Sequence, residues 1–175
     1  VVSYRDGSGD LKVAYLCADK CAESDGRILD LGSDNGRVIT QLSGGLKPGD
    51  PGRDSSIAIP LAATPYVAYR DEVAKAVQLI HCTNRSCSST EPPVAIAAGI
   101  LAADISMMIG RDGFPIVAFR DQEKSEVVVV ACGDVPCGPE ARTQTVVDAG
   151  GDKSAKVGFF LRIVPGKNSN PILAY

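Results

Sequence analysis

One seven-residue phrase recurs along this chain and places the strongest limit on its fold. It reads PYVAYRD at 65–71 and PIVAFRD at 115–121, while its second half opens the chain as VVSYRD and its first half closes it as PILAY. In three copies the Asp of the phrase is followed eleven residues later by a Cys, and a second Cys comes four or five residues after that. Self-similarity at nearly fixed offsets indicates tandem structural repeats.

The repeats predict how the chain is organised. We treat residues 1–175 as one repeat domain with three copies, at approximately 1–66, 67–116 and 117–175. The first copy is the longest because it carries an additional segment at approximately 33–52. Asn-Gly and Gly-Gly pairs in that segment favour tight turns, so we predict an inserted hairpin around the sequence RVITQL.

Each copy has the pattern of four short strands, exemplified by SSIAI, PYVAY, EVVVVAC and TQTVVD. Turn residues every 8 to 12 positions are typical of all-β proteins. The segment EVAKAVQLI resembles a helix, but its counterpart EVVVVAC is rich in β-branched residues, so we predict a strand in both. We therefore expect an all-β fold of three four-stranded antiparallel repeats, like β-propeller blades. A β-trefoil is the alternative.

Composition argues against several classes of function. The net charge is −3 and the basic residues are scattered, so no cluster favours nucleic acid. No apolar run reaches the roughly 18 to 20 residues of a membrane span. No glycine-rich loop joins a strand to a helix as a phosphate site would require. We therefore expect no cofactor, no nucleic acid and no membrane span.

The six cysteines form three local pairs, namely Cys17 with Cys21, Cys82 with Cys87, and Cys132 with Cys137. Partners four or five residues apart can meet across a tight turn, where the Cα separation suits a disulfide. Zinc is the competing interpretation, but a tetrahedral site needs two pairs to converge, whereas repeats hold their pairs apart. We predict three disulfides, no metal, and a secreted or cell-surface location, because disulfides persist in oxidising compartments.

Asn84, Arg85 and Ser86 form an N-glycosylation sequon inside the second cysteine turn. The tip of a turn is exposed, so Asn84 is a candidate glycosylation site in a secretory host. His81 is the only histidine, and the sequence shows no set of partners for it.

The phrase also repeats an arginine and an aspartate. The arginines, at Arg5, Arg70 and Arg120, could bind a carboxylate ligand, or could simply be solvated or paired with an aspartate. The aspartates end the strand, at Asp6, Asp71 and Asp121. An Asp in that position accepts hydrogen bonds from the N–H groups of the following turn, so we predict a structural role for all three.

The pattern P-x-V-A-Y-x-D, then L-x-V and two spaced cysteines, resembles a tandem repeat of large secreted or surface proteins of bacteria and algae. The best matches are GDLKVAYLCADKC at 9–21, GFPIVAFRD at 113–121 and VVSYRD, while the second copy lacks the Asp-Leu-Lys turn. The resemblance covers all three copies apart from the insert. It implies an extracellular propeller-like module with a structural or adhesive role, and no catalytic residues.

These observations favour a disulfide-stapled β-repeat module that is a structural or interaction component of an extracellular assembly such as an appendage, filament or matrix. The expected partners are further copies of the same unit, through self-association or within a longer chain. A carbohydrate-binding lectin is the alternative, with glycans as its partners. We do not expect an enzyme.

Overall fold

The structure is a computed structural model. The described residues are 2–5, 11–15, 38–41, 54–61, 64–85, 87, 89–150 and 157–175. They form β-strands and two short 3-10 turns, with no α-helix in these ranges. No helix within them could cross a membrane.

The strands form antiparallel sheets in which each strand pairs with its neighbour in the chain. The first sheet contains β1 (Val2–Arg5), β2 (Leu11–Tyr15) and β3 (Val38–Gln41). The second contains β4 (Ser55–Ala58), β5 (Tyr66–Asp71), β6 (Ala76–His81) and β7 (Val94–Ala98). The third contains β8 (Ala102–Ile109), β9 (Pro115–Asp121), β10 (Glu126–Cys132) and β11 (Arg142–Asp148). The last is a hairpin of β12 (Arg162–Pro165) and β13 (Pro171–Ala174).

The prediction of an all-β protein with antiparallel sheets is confirmed. The segment EVAKAVQLI ends in strand β6 rather than a helix, as its β-rich counterpart suggested. The described residues close neither a barrel nor a propeller ring, so they show open meandering sheets.

The structure describes one strand of the insert in the first copy, and the hairpin predicted for it stays a prediction. Strand β3 lies within the RVITQL sequence, but it pairs directly with β2, with Lys12 opposite Gln41 and Tyr15 opposite Val38. It therefore holds the position beside β2 that the fourth strand holds in the second and third sheets, and residues 16–32 lie outside the described residues. Residues 33–37 and 42–52 also lie outside them. Cross-strand pairing depends on partners distant in sequence, which local turn signals cannot identify.

Both faces of the second sheet are buried. In β5 every residue from Tyr66 to Asp71 is buried. Because side chains alternate along a strand, Val67 and Tyr69 pack with Leu11 of the first sheet, whereas Tyr66 and Ala68 lie in a core shared with the third sheet. A third core joins the third sheet to the hairpin through Ala118, Val127, Leu161 and Ile163, together with Met108. Successive sheets therefore stack with one apolar core between each pair.

Serine hydroxyls join the first strands of successive sheets. Ser56 Oγ on β4 accepts a hydrogen bond of 3.0 Å from the backbone N–H of Met107 on β8. Ser106 Oγ on β8 accepts one of 3.1 Å from the backbone N–H of Ile163 on β12. Ser56 and Ser106 hold the same position in their repeats, two residues after an aspartate. The same contact thus occurs at two consecutive junctions.

We predict that Ser106→Ala lowers the free energy of unfolding by about 1 to 3 kcal/mol, because it leaves the buried N–H of Ile163 without an acceptor. Chemical denaturation of the purified protein measures this. Ser89→Ala, at an exposed position, is the matched control and should change stability by less than about 0.5 kcal/mol. Equal effects of the two substitutions would contradict a joining role for Ser106.

A second prediction concerns Tyr69, which is 1% exposed. Burial, with the nearby charge of Asp71, raises the pKa of Tyr69 from 10.0 to about 12. Since the unfolded chain ionises first, this tyrosine's stabilising contribution is complete below pH 10 and is lost as the pH rises towards 12. Tyr69→Phe should make the alkaline loss of stability shallower, because it removes the hydroxyl group that ionises. Phe119 already holds the equivalent position in the third sheet. Denaturation curves between pH 9 and 12 test this, and an unchanged decline would contradict it.

Candidate functional site

A cavity of about 370 Å³ opens where the first strands of the sheets meet. Its walls come from four strands, since β1 lies against β4, β4 against β8, and β8 against β12. The described lining residues are Ser3, Ser55, Ser56, Ile57, Ile105, Ser106 and Arg162. The cavity is therefore bordered by hydroxyl groups, two isoleucines and one guanidinium, and no carboxylate is among these residues.

All four of these serines also hold the sheets around this cavity, Ser56 through its bond with the N–H of Met107. Ser3 Oγ and Ser55 Oγ share a hydrogen bond of 3.1 Å between β1 and β4. Ser106 is 7% exposed and accepts the N–H of Ile163. A serine hydroxyl that accepts an N–H still has its own hydrogen to donate and a second lone pair. The hydroxyls around the cavity can therefore serve the fold and contact a ligand at the same time.

Arg162 replaces the joining serine in the last hairpin. The turn glycine of this hairpin, Gly166, matches Gly110 of the β8–β9 hairpin, which places Arg162 at the position of Ser106. Its guanidinium donates from Nη1 to the carbonyl oxygen of Leu161 at 2.7 Å. The residue is exposed and forms no salt bridge with a carboxylate in the described part of the chain. It is the one cation on the described cavity wall.

The sequence pattern does not predict this cavity, whose described lining residues come from four separate strands. Ser56 and Ser106 were visible as aligned positions, but serines on a strand resemble an ordinary polar face. The signal that could have found them is the repeated Asp-x-Ser spacing at 54–56 and 104–106. Arg162 carries no such signal, because Phe160 rather than an aspartate stands two residues before it.

Arg70 is held within the fold. It is 5% exposed and lies 3.4 Å from Asp54 Oδ2, and it also pairs with Glu72. Its Nη1 donates at 3.1 Å to the carbonyl oxygen of Ala102 at the start of the third sheet. Its contacts therefore join two sheets, and the side chain is paired with acidic groups rather than solvated.

Arg120 repeats part of this arrangement in the third sheet. Its Nε donates to Asp104 Oδ2 at 3.1 Å, and its guanidinium lies 4.2 Å from the ring centre of Phe159, ahead of the last hairpin. Asp104 lies in a β-bulge at a φ of 53° and also accepts the backbone N–H of Phe160 at 3.1 Å. A smaller cavity of about 290 Å³ borders Arg120.

The predicted turn aspartates are described in two sheets. Asp71 Oδ1 accepts the N–H of Ala74 at 2.8 Å, and Asp121 Oδ1 accepts the N–H of Glu123 at 3.0 Å. Both residues are buried at the start of a four-residue turn. In the first copy, only the backbone of Arg5 is described, as the end of β1, and Asp6 lies outside the described residues.

Two of the three predicted cysteine pairs are bonded in the structure. Cys82 is bonded to Cys87 and Cys132 to Cys137, with Cα separations of 4.9 and 5.0 Å. All four residues are buried. The described part of the chain contains no free cysteine and no cluster of metal-binding side chains. Cys17 and Cys21 lie outside the described residues.

Asn84 lies in the turn closed by the Cys82–Cys87 bond. The residue is partly exposed, and its backbone carbonyl oxygen accepts the N–H of Cys87 at 3.1 Å. The turn therefore positions Asn84 at an outer end of the sheet, where glycosylation of this residue stays a prediction.

His81 has partners that the sequence did not reveal. Its Nε2 shares a hydrogen bond of 2.7 Å with the hydroxyl of Thr64, and its Nδ1 lies 3.3 Å from Glu91 Oε2. The ring stacks on Tyr66 with centroids 4.5 Å apart. The cluster joins the segments before β5 and before β7 to the end of β6. Because Thr64 and Glu91 are separated from His81 along the chain, spacing alone did not associate them.

The disulfides generate a prediction about stability. Replacing Cys132 and Cys137 with alanine should lower the free energy of unfolding by about 2 kcal/mol, because the open turn gains conformational entropy in the unfolded chain. Val135→Ala changes an exposed residue of the same turn while keeping the bond, and serves as the control. Urea denaturation measures both variants. A stability equal to that of the control would show that the bond contributes nothing to the fold.

Comparisons with protein-family models, with curated proteins and with solved structures find no match to this chain. Any function assigned to it therefore rests on the contacts of its own residues.

Proposed function

We propose that this chain is a disulfide-stapled β-repeat module with a structural or interaction role in an extracellular assembly. Its units are propeller-like blades, in which the first strands lie side by side and each sheet packs on the next. The open meander order of both four-stranded sheets favours blades over a β-trefoil. The proposed role requires no catalysis.

The observation that carries this proposal is the repeated junction. Ser56 and Ser106 join their sheets to the next with the same hydroxyl-to-backbone bond. The arginine of the phrase pairs with the aspartate two residues before that serine in both sheets, as Arg70 with Asp54 and Arg120 with Asp104. Polar groups that recur in register and are used to join units are typical of an extendable array rather than of a catalytic centre.

The bonded cysteine pairs support an extracellular location. Disulfides form and persist in oxidising compartments and are rare in the cytosol. Their turns lie at the ends of β6 and β10, where each closes the connection to the fourth strand. We therefore propose secretion or display at the cell surface.

Self-association is the partner interaction that we propose. The last hairpin exposes apolar side chains, with Val164 at 50% and Ile172 at 53% exposure, and β13 pairs only with β12 within the described residues. An unpaired strand edge beside apolar side chains favours addition of another chain. A second copy, or a further repeat, is the occupant that matches the sheets already present.

Light scattering on size-exclusion chromatography tests this. We expect concentration-dependent oligomers, and Ile172→Lys should shift the population towards monomer because it places a charge at the proposed contact. Val73→Lys, at a 66% exposed position in the β5–β6 turn, is the control and should leave the distribution unchanged. A monomer at every concentration would contradict the assembly role.

Carbohydrate binding is a second candidate function, favoured by the cavity between the first strands. Pockets of a few hundred cubic ångströms that combine apolar walls with a few polar groups are typical of small-ligand sites. Neither Val164 nor Ile172 is among the described residues that line the cavity, so separate substitutions can test the two functions.

A further inference from the structure

We propose that the cavity between the first strands binds a small hydroxylated carboxylate, such as an acidic sugar residue, with Arg162 holding the carboxylate. This inference deepens the carbohydrate-binding function proposed above and rests on it, and it is independent of the assembly role.

The electrostatics of the cavity wall select an anion. Arg162 is its only charged residue within the described part of the chain, and no carboxylate neutralises it there. A guanidinium carries five N–H donors, and one of them is used on the carbonyl oxygen of Leu161. The remaining donors can form the paired hydrogen bonds with which arginine recognises a carboxylate.

The position of Arg162 is not explained by the joining of sheets. In the two preceding sheets the same position holds Ser56 or Ser106, each bonded to the backbone of the next sheet. The arginines of the repeated phrase, Arg70 and Arg120, are each paired with an aspartate of their own sheet. Arg162 therefore departs from the repeated pattern at a position that borders the cavity.

The rest of the wall matches a sugar better than a simple acid. Ser106 can still donate a hydrogen bond to a sugar hydroxyl group. Ser3 and Ser55, which share one hydrogen bond, keep one hydroxyl hydrogen between them and free lone pairs for the same purpose. Ile57 and Ile105 provide apolar surface for the C–H groups of a ring. A volume of about 370 Å³ is in the range of small-ligand pockets. A single guanidinium also balances the single charge of a carboxylate.

Isothermal titration with four probes tests the assignment. Glucuronate carries the hydroxyl groups and the carboxylate, glucose only the hydroxyl groups, and acetate only the carboxylate. Methyl glucuronide represents the acid at the end of a glycan chain, so comparison with free glucuronate separates a free metabolite from a glycan terminus. We expect glucuronate or its methyl glycoside to bind about tenfold or more tightly than glucose or acetate.

Variants then locate the binding. Arg162→Gln should weaken binding of the acidic sugar about tenfold or more, and Arg162→Lys should recover part of it by restoring the charge without the planar fork. Ser55→Ala should weaken acidic sugar binding while leaving any acetate binding unchanged. Arg85→Gln makes the same chemical change at an exposed site in the cysteine turn and should have no effect. Because Arg162 is exposed, its variants should keep the wild-type thermal unfolding midpoint, which is measured in parallel.

The proposal would be overturned if wild-type protein bound no acidic probe, or if Arg162→Gln left acidic sugar binding unchanged. Equal affinity for glucose and glucuronate would also overturn it, because the guanidinium would then have no role. Loss of this site leaves the assembly proposal intact, since light scattering measures the oligomeric state and Ile172 is not among the described lining residues.

Discussion

The burial of both faces of a sheet is the constraint from which the rest of this structure follows. A four-stranded sheet with apolar residues on both faces cannot be covered by its own residues, so it must have a neighbour on each side. Here Tyr69 faces the first sheet while Tyr66 faces the third. The sheets consequently stack in chain order, and their first strands come together as a group. The cavity exists because four such strands approach one another without filling the space between them.

Polar groups at the sheet junctions must find partners because water is excluded there. The terminal nitrogens of Arg70, a residue 5% exposed, meet this requirement with Asp54, Glu72 and a carbonyl oxygen of the next sheet. Breaking one member of a buried charged group is strongly destabilising, since the others stay buried and unpaired. The symmetric arginines therefore serve the architecture. Arg162 does not need such partners, because its side chain is exposed and borders the cavity.

Local features of the fold were predictable from the sequence, whereas contacts between distant segments were not. The cysteine turns and the strand at 76–81 followed from short-range signals, because both partners lie within a few residues. The pairing of β3 with β2 and the cluster of Thr64, His81 and Glu91 depend on residues that only the folded chain brings together. The candidate site belongs to the second kind, since its wall comes from four separate strands.

The serine junctions have a consequence for how such a chain can diversify. Each bond joins a serine hydroxyl on one sheet to a main-chain N–H on the next. The residue that donates the N–H is Met107 in one case and Ile163 in the other. A main-chain donor is the same for every residue type except proline. Units of this kind can drift apart in sequence, be duplicated or be shuffled by recombination while keeping the same docking geometry. Evolution is then free to rebuild exposed loops one unit at a time.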